Sequence, residues 1–280
     1  MIELSSKQNC TGCSACANIC PRGCIKMTAD EEGFLYPKVN EEMCMDCGLC
    51  ENVCNMQKQP TQHAILAVYG AKNNDDAVRF TSSSGGMFTL FAEFVLKQGG
   101  VVVGAALDEQ LNVQHVLVNS LDELPKLRGS KYVQSKISKI YSEVRQILRA
   151  GRKVLFSGTP CQIAGLKRYL VKPSENLLTV DVVCHGVPSP KVYQKHLREL
   201  AQEAGESCCL SILDHDEVRY LDVVESAKNH VMIRQRVGGS APLHCTGSGK
   251  LFLCQYPPEK LAAFASKGLR RLTPHTLTSA

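Results

Sequence analysis

The sequence contains no tryptophan, and aromatic residues account for only 6% of its 280 positions. Its longest apolar stretches are far shorter than the ~20 residues that a helix needs to cross a bilayer. The N-terminal residues lack the charged-then-apolar pattern of a secretory signal, and no run of Lys and Arg is dense enough to indicate nucleic-acid binding. We therefore expect a cytoplasmic protein that neither spans a membrane nor binds nucleic acid.

Charge is modest overall but unevenly distributed along the chain. The net charge is +5, yet residues 1–60 contain five Lys and Arg against eight Asp and Glu, which leaves the remainder clearly basic. An acidic module joined to a basic body is compatible with an electron-transfer pair. A charge drift without function is an equally good explanation of the same numbers.

Cysteine is the residue in marked excess, with 15 copies. In a reducing compartment, clustered cysteines favour metal or redox sites over disulfides. Eight of them form two runs with the spacing C-x2-C-x2-C-x3-C, which binds 4Fe-4S clusters in two-cluster ferredoxins. The first run is Cys10, Cys13, Cys16 and Cys20, and the second is Cys44, Cys47, Cys50 and Cys54.

The spacing of these runs predicts crossed ligand sets. Three thiolates on a tight loop can each reach one iron of a cube, whereas the fourth begins a helix that points towards the other cube. We assign Cys10, Cys13, Cys16 and Cys54 to cluster I, and Cys44, Cys47, Cys50 and Cys20 to cluster II. Zinc is the alternative for C-x2-C pairs, although the third and fourth cysteines are not at zinc-ribbon spacing. Cys24 lies outside the repeat and is interpreted as a small buried core residue.

Beyond a polar linker at 55–62, the chain alternates between predicted strands and helices. The predicted strands are 64–70, 101–104, 113–118, 153–157 and 177–183, and the predicted helices are 87–96, 137–150, 162–166 and 190–204. Strand–helix–strand over 153–184 indicates a parallel crossover, whose strand ends share one sheet edge. Cys161 and Cys184 follow those two ends. Together they could form a redox or metal site, whereas either alone would be a buried core cysteine.

A Ser/Gly loop at 81–86 leads into the predicted helix 87–96. Its hydroxyls and free backbone N–H groups could bind a phosphate. From this stretch alone, a plain helix cap with a flexible approach is the favoured interpretation.

Several motifs, taken in order, resemble the beta-subunit family of coenzyme F420 hydrogenases and dehydrogenases over about residues 1–204. They are the ferredoxin runs, Ser-Ser-Ser-Gly-Gly-Met at 82–87, Gly-Thr-Pro-Cys-Gln at 158–162, and Asp-Val-Val-Cys-His-Gly-Val-Pro at 181–188. Members of this family are iron–sulfur flavoproteins that bind FAD. The resemblance implies flavin contacts at Ser83, Ser84, Gly85, Gly86, Gly158 and Thr159. It also implies that Cys161 and Cys184 match ligands of a third 4Fe-4S cluster.

The resulting fold prediction is a mixed α+β and α/β chain. We expect a ferredoxin-type domain at 1–58, a flavin-binding catalytic domain in two parts at 63–145 and 146–205, and an irregular tail at 206–280. The expected function is an oxidoreductase that relays electrons between the 4Fe-4S clusters and an FAD-linked substrate or deazaflavin. It would need a redox partner protein and a small-molecule electron donor or acceptor. The alternative is a non-catalytic electron-carrier subunit that docks a partner enzyme.

The tail departs from the pattern after Gly205. Cys208 and Cys209 are adjacent, and glycine-rich stretches at 238–240 and 247–249 are expected to interrupt any element. Family members continue with a cysteine pair and an Asp-rich strand that complete the third cluster site, and no such pair follows here. We interpret residues 206–280 as a divergent or frameshifted tail. The third cluster is then incomplete, and about eight irons per chain are expected rather than about twelve.

Overall fold

The computed structural model describes residues 1–4, 6–57, 64–108, 112–214, 216–224, 239–276 and 278. Most of the predicted linker at 55–62 lies outside these described residues. The chain divides into two compact units, one made of Met1–Asp108 with Asn112–Val192, the other of Tyr193–Ala280 with Glu109–Leu111. Across the described part of the chain, no helix has both the length and the apolar content to cross a membrane.

The N-terminal module of the first unit combines two short helices with one hairpin. Helices α1 (Ala15–Ile19) and α2 (Leu49–Asn52) each lie within a cysteine run. Strands β1 (Ile25–Ala29) and β2 (Leu35–Val39) pair antiparallel. The turn between the strands is held by the carboxylate of Asp30, which accepts the backbone N–H groups of Glu32 and Phe34 at 3.0 Å each.

The interior of this module consists largely of cysteine. Its buried residues are Ile2, Cys16, Cys24, Ile25 and Cys50, and several further cysteines of the two runs pack against them. Such a small domain buries too little aliphatic surface to be stable through the hydrophobic effect alone. Bonds between these thiols and a metal would supply the missing free energy of folding.

A four-stranded sheet forms the rest of the first unit, in the order β4-β3-β5-β6. Its strands are β3 (Val101–Leu107), β4 (Val113–Val118), β5 (Val154–Gly158) and β6 (Leu177–Asp181). Strand β3 pairs antiparallel with β4 and parallel with β5, and β5 pairs parallel with β6. The parallel crossover predicted over 153–184 is confirmed. The two catalytic segments expected at 63–145 and 146–205 therefore contribute strands to the same sheet.

Helices cover both faces of this sheet. They are α4 (Met87–Leu96), α5 (Ile140–Arg149) and α6 (Pro160–Leu170), and the short helix α3 (Asp76–Phe80) precedes them in the chain. Val102 and Leu155 pack with α4, while Val101, Val154 and Phe156 pack with α5 and α6. Neighbouring strand residues point to opposite faces, so continuous runs of valine suit a sheet that is buried on both sides.

The start of α6 has a clear local cause. The side chain of Gln162 accepts the backbone N–H of Thr159 at 3.0 Å, and Pro160 occupies the first turn, where no N–H partner is needed. The predicted helix at 162–166 is confirmed, and it is longer at both ends than the sequence pattern indicated.

One predicted strand is wrong. Residues 64–70 have no regular secondary structure, and they pair with no strand of the described chain. Leu66 is 98% exposed and Val68 is 86% exposed. Alternating apolar residues form a strand only when a neighbour pairs with their backbone groups, and the local sequence does not reveal that neighbour.

The second unit corrects the expectation of an irregular tail. Its elements are α7 (Pro190–Ala204, at the division), β7 (Cys208–Asp214), β8 (Glu217–Val224), β9 (Ser240–Pro242), α8 (Gly247–Leu253) and α9 (Pro258–Ser266). The strands form an antiparallel sheet over a small core of Val218, Tyr220 and Leu243. Thr246 accepts the N–H of Gly249 at 3.1 Å, so the glycine-rich stretch begins a helix instead of interrupting one.

The core of the first unit can be tested at Leu166, which is 0% exposed among α5, α6 and the sheet. We expect Leu166→Ala to lower the free energy of unfolding by about 2–5 kcal/mol, because it leaves a cavity. Urea unfolding followed by circular dichroism would measure the change. Leu66→Ala removes the same atoms from an exposed side chain and should cost less than about 0.5 kcal/mol. Equal losses in the two variants would contradict the assigned core.

Candidate functional site

The first thiol set consists of Cys10, Cys13, Cys16 and Cys54 in the N-terminal module. Burial raises the pKa of Cys16 to about 12, and the neighbouring thiols of Cys13, Cys10 and Cys54 add to the shift. Burial also raises the pKa of Cys13 to about 11. These four residues are the ones that the spacing predicts for cluster I. The structure brings them together, and their role as ligands stays a prediction.

Residues in the left-handed backbone region shape both cysteine loops. Ser14 (φ 63°) precedes α1 and Gly48 (φ 68°) precedes α2, so the two runs use the same turn. Gly12 (φ 65°) also leaves no room for a side chain, because an added Cβ would lie 2.9 Å from the carbonyl oxygen of Leu35. The N–H of Gly12 donates to the Sγ of Cys10 at 3.4 Å.

The second thiol set lines a cavity on the other side of the module. Cys20, Cys44, Cys47 and Cys50, the residues predicted for cluster II, all line it. A fifth cysteine, Cys24, lines it as well. Cys47 is exposed while Cys50 is buried, so this site lies close to the protein surface. Among the described residues, no group of His, Cys, Asp or Glu is arranged to hold a single metal ion.

The donor chemistry fits the predicted clusters. Thiolates are the form that binds metal, and a cation beside a buried thiol would offset the burial that otherwise favours the neutral thiol. Two sets of four thiols match the four-cysteine ligation of two 4Fe-4S clusters. Such clusters would supply one-electron transfer, and the two sets of cysteines would hold them at two positions in the module.

The loop of cluster I packs directly on the first turn of α6. Asn55 donates its side-chain N–H to the carbonyl oxygen of Cys161 at 3.3 Å and accepts from the thiol of Cys13 at 3.9 Å. The hydroxyl of Tyr141 lies 3.0 Å from the carbonyl oxygen of Cys13 and 2.8 Å from that of Gln162. These contacts tie the ferredoxin module to the sheet domain within one compact unit.

Gly165 permits this close approach. A Cβ added there would lie 3.2 Å from the Sγ of Cys13 and 3.1 Å from the hydroxyl of Tyr141. A glycine inside a helix normally destabilises it, and one that remains often marks a close contact. That signal was available in the sequence, whereas nothing local marked Asn55 or Tyr141.

Cys161 and Cys184 follow adjacent parallel strands, as predicted, but they have different surroundings. Cys161 lies near Cys10 and Cys13, with its Sγ 3.1 Å from the hydroxyl of Thr159. Cys184 is exposed, and its Sγ accepts the N–H of Gly186 at 3.4 Å. A third cluster shared by Cys161 and Cys184 stays a prediction.

The Ser/Gly loop begins α4 and is held by its own chain. Ser83 accepts the N–H of Ser130 at 2.6 Å, and Gly86 (φ 74°) is the N-cap of α4. A Cβ added to Gly85 would lie 2.7 Å from the carbonyl oxygen of Ala71, so the protein itself requires this glycine. Ser84 is exposed. This contact is by itself enough to explain the glycine, and a role of Gly85 at a cofactor stays a prediction.

The topology places both predicted flavin segments at one sheet edge. Strands β3, β5 and β6 are parallel, and α6 begins where β5 ends, at Gly158 and Thr159. Helix α4 packs on β3 and joins it by a short turn, so it runs the opposite way and also begins at that edge. This is the edge where open parallel sheets bind ligands. The loop 83–86 and the pair Gly158–Thr159 both lie at this edge, on opposite faces of the sheet.

Two cations near the start of α4 were missed by the sequence analysis. Arg128 donates to the hydroxyl of the buried Thr89 at 3.2 Å and to that of Thr81 at 3.4 Å. Lys131 donates to the carbonyl oxygen of Arg128 at 2.7 Å, and burial lowers the pKa of Lys131 to about 8. Only the fold brings residues 128–131 next to the loop at 81–86.

Three family models match successive parts of the chain. Residues 9–58 match the 4Fe-4S dicluster domain, and residues 68–142 match the N-terminal domain of the coenzyme F420 hydrogenase/dehydrogenase beta subunit. Residues 183–280 match the C-terminal domain of the bacterial transcriptional regulator IclR.

Individual relatives follow the same division. A coenzyme F420-dependent sulfite reductase of Methanocaldococcus jannaschii is 29% identical over 191 residues, which cover 66% of this chain and 29% of the relative. An uncharacterised ferredoxin of the same organism is 31% identical over 73 residues, or 26% of this chain and 87% of the relative. The "Probable transcriptional regulator SauR" of Cupriavidus necator is 35% identical over 118 residues, or 42% of this chain and 46% of the relative.

The chain spans less than half the length of the reductase and of the regulator that it resembles. Its ferredoxin module, by contrast, corresponds to most of the archaeal ferredoxin. The resemblance drawn from the cysteine runs and the later motifs is confirmed by the dicluster and beta-subunit matches. The N-terminal module belongs to the 4Fe-4S dicluster ferredoxins, and residues 68–142 are similar to the N-terminal domain of the coenzyme F420 hydrogenase/dehydrogenase beta subunit.

Proposed function

We propose that this chain is an iron–sulfur flavoprotein oxidoreductase subunit, which relays electrons between its two 4Fe-4S clusters and an FAD-linked substrate or deazaflavin. Its kinship with F420-dependent oxidoreductases supports the electron-transfer class. A flavin would supply the conversion between one-electron and two-electron chemistry. The residues of this chain place the clusters and bind the cofactor.

One observation above all supports this function: the loop of cluster I packs on the first turn of α6, at the sheet edge where a cofactor would bind. Asn55 and Tyr141 hold Cys13 against that turn. Cluster I would then lie between the sheet edge and the more exposed cluster II. An electron entering near Cys47 could reach the sheet edge through the two clusters in turn.

The flavin site is inferred from the same edge of the sheet. Ser84 presents an exposed hydroxyl, and α4 begins at Gly86 with free N–H groups that suit a phosphate. Arg128 and Lys131 add positive charge close to this loop. Gly158 and Thr159 would approach the cofactor from the other face of the sheet.

An electron-carrier subunit without flavin is the second candidate function. It is favoured by the internal partners of the Ser/Gly loop, since Ser83 is bonded to Ser130 and Gly85 is packed on Ala71. Either function needs a redox partner protein. The match to 29% of a relative named as a reductase suggests that such a segment works together with further protein. Exposed Met45 and acidic residues near cluster II offer a surface for that contact.

We further propose that residues 193–280 form a separate module of the IclR C-terminal type. The match begins at 183, so it includes Cys184. Divergence or a frameshift near residue 205 stays a competing prediction. The coding DNA tests the frameshift, because another frame past codon 205 should then encode a C-x2-C pair. Because the similar protein is a transcriptional regulator, the absence of a nucleic-acid partner also stays a prediction.

The cluster assignment is tested by Cys16→Ala and Cys47→Ala in the full chain. Each removes one thiolate, so iron should fall from about eight to about four per chain, or lower if the module unfolds. Cys16 is a better choice than Cys13, because Cys161 lies beside Cys13 and could replace it. Iron and acid-labile sulfide are measured after anaerobic purification.

The matched control for these variants is Cys254→Ala, which removes an exposed cysteine of the second unit and should keep about eight irons. An unchanged iron content in Cys16→Ala or Cys47→Ala would show that the residue is not a ligand. A wild-type value near twelve would show that the third cluster site is complete.

The flavin site is tested by Ser84→Phe, which places a ring at an exposed position of the loop without a clash in the fold. FAD content after anaerobic reconstitution should fall by about tenfold, equivalent to ~1.4 kcal/mol of binding free energy. Lys167→Phe adds the same bulk at an exposed position on α6 and should retain FAD. A wild-type chain that never binds FAD would favour the carrier subunit.

A further inference from the structure

We propose that Gln134 is a positioning residue of cluster I, whose side-chain amide holds the loop between Cys10 and Cys13 and raises the reduction potential of the cluster. Its Oε1 atom accepts the backbone N–H of Leu35 at 3.0 Å. Its Nε2 atom lies against Gly12, where an added Cβ would collide with it. The inference rests on the assignment of cluster I within the proposed function, and nothing in the cysteine repeat identifies this residue.

The amide of Gln134 meets the cluster I loop at Gly12. This glycine lies between two of the predicted ligands, and its N–H donates to the Sγ of Cys10 at 3.4 Å. The group that lies against Gly12 is an NH2, which carries two hydrogen-bond donors and no negative charge. The positive end of the amide dipole is therefore directed at the loop that would hold the cluster.

The sheet fixes the segment that carries Gln134. The imidazole of His115 lies 2.5 Å from the hydroxyl of Ser135 and 3.0 Å from the carbonyl oxygen of Ser157. Because a carbonyl oxygen only accepts, Nε2 of His115 donates to it and Nδ1 accepts the hydroxyl of Ser135. Lys136 forms two further backbone hydrogen bonds with β4, each at 2.9 Å.

The two ends of this segment are fixed as well. The N–H of Ser130 donates to the hydroxyl of Ser83 in the predicted flavin loop at 2.6 Å. The carbonyl oxygen of Ser138 accepts the side-chain N–H of Asn18, at α1 of the ferredoxin module, at 2.7 Å. Residues 130–138 thus link the flavin loop to the module, and Gln134 lies in the middle. A side chain on a backbone held in this way keeps its dipole in a fixed direction, which an electrostatic effect on a cofactor requires.

The direction of the effect follows from charge. Reduction adds one negative charge to a 4Fe-4S cluster, and the hydrogen bonds and net charge around its sulfurs set its potential. An N–H dipole directed at the cluster stabilises the reduced form, and the partly buried position of Gln134 limits screening by salt. Gln134 is not among the residues that line the cavity of cluster II, so we expect only cluster I to respond.

The test compares Gln134→Leu and Gln134→Glu with the wild-type full chain after anaerobic purification. Both cluster potentials are measured by dithionite titration with mediators, followed by electron paramagnetic resonance. In Gln134→Leu the amide dipole is lost, so the reduction equilibrium constant of one cluster should fall about tenfold, equivalent to ~59 mV for one electron. The other potential should not change. Gln134→Glu keeps an acceptor for Leu35 and replaces the donors with negative charge, so its potential should fall at least as far.

The matched control is Gln146→Leu, which makes the same change at an exposed position of α5 and should leave both potentials unchanged. Unchanged potentials in both Gln134 variants would overturn the proposal. A fall in Gln134→Leu without one in Gln134→Glu would show that only the bond to Leu35 matters, and would reject the role of the amide dipole. Equal shifts of both clusters would indicate a general change in the module and would also contradict it.

Two further outcomes separate this inference from the cluster assignment. If Gln134→Leu loses a cluster, Gln134→Glu still decides, because it retains the acceptor for Leu35. A wild-type chain without two 4Fe-4S clusters would reject the assignment and this inference with it. Two clusters whose potentials do not respond to residue 134 would reject the inference alone.

Discussion

Bonds between buried thiols and iron would be the interaction on which the N-terminal module depends. Its interior is made chiefly of cysteine side chains, and burial raises the pKa values of Cys13 and Cys16. Those thiols lose their protons readily only beside a cation. The clusters would thus act as cofactor and as core at the same time, and loss of either function would affect the other.

The first turn of α6 joins this module to the sheet domain. Gly165 removes the side chain that would meet the Sγ of Cys13, and Tyr141 bridges carbonyl oxygens from both sides of the contact. Asn55, which follows Cys54 directly, adds the remaining link. An electron-transfer site needs such a fixed distance between its centres, and these contacts are made by residues outside the metal-binding repeat.

The chain combines segments of two families. Residues 9–58 match a 4Fe-4S dicluster domain and residues 68–142 match the N-terminal domain of an F420 beta subunit, while residues 183–280 match a regulator domain. The second unit has its own sheet and core. Both parts contain glycine-rich segments, but the structural reason for the glycines differs between them. Gly85 packs against the carbonyl oxygen of Ala71, which leaves no room for a side chain. The stretch at 247–249 begins a helix that is capped by Thr246. Composition alone does not distinguish a ligand loop from a packed turn.

The sequence by itself determined the cysteine repeats, the parallel crossover and most helices, because those features depend on spacing within a few residues. Only the tertiary structure decided that residues 64–70 pair with no described strand, that the tail folds, and that Cys24 and Cys161 lie beside the two thiol sets. Pairing and thiol contacts join residues that are distant along the chain or meet across a turn. Local periodicity contains no information about them.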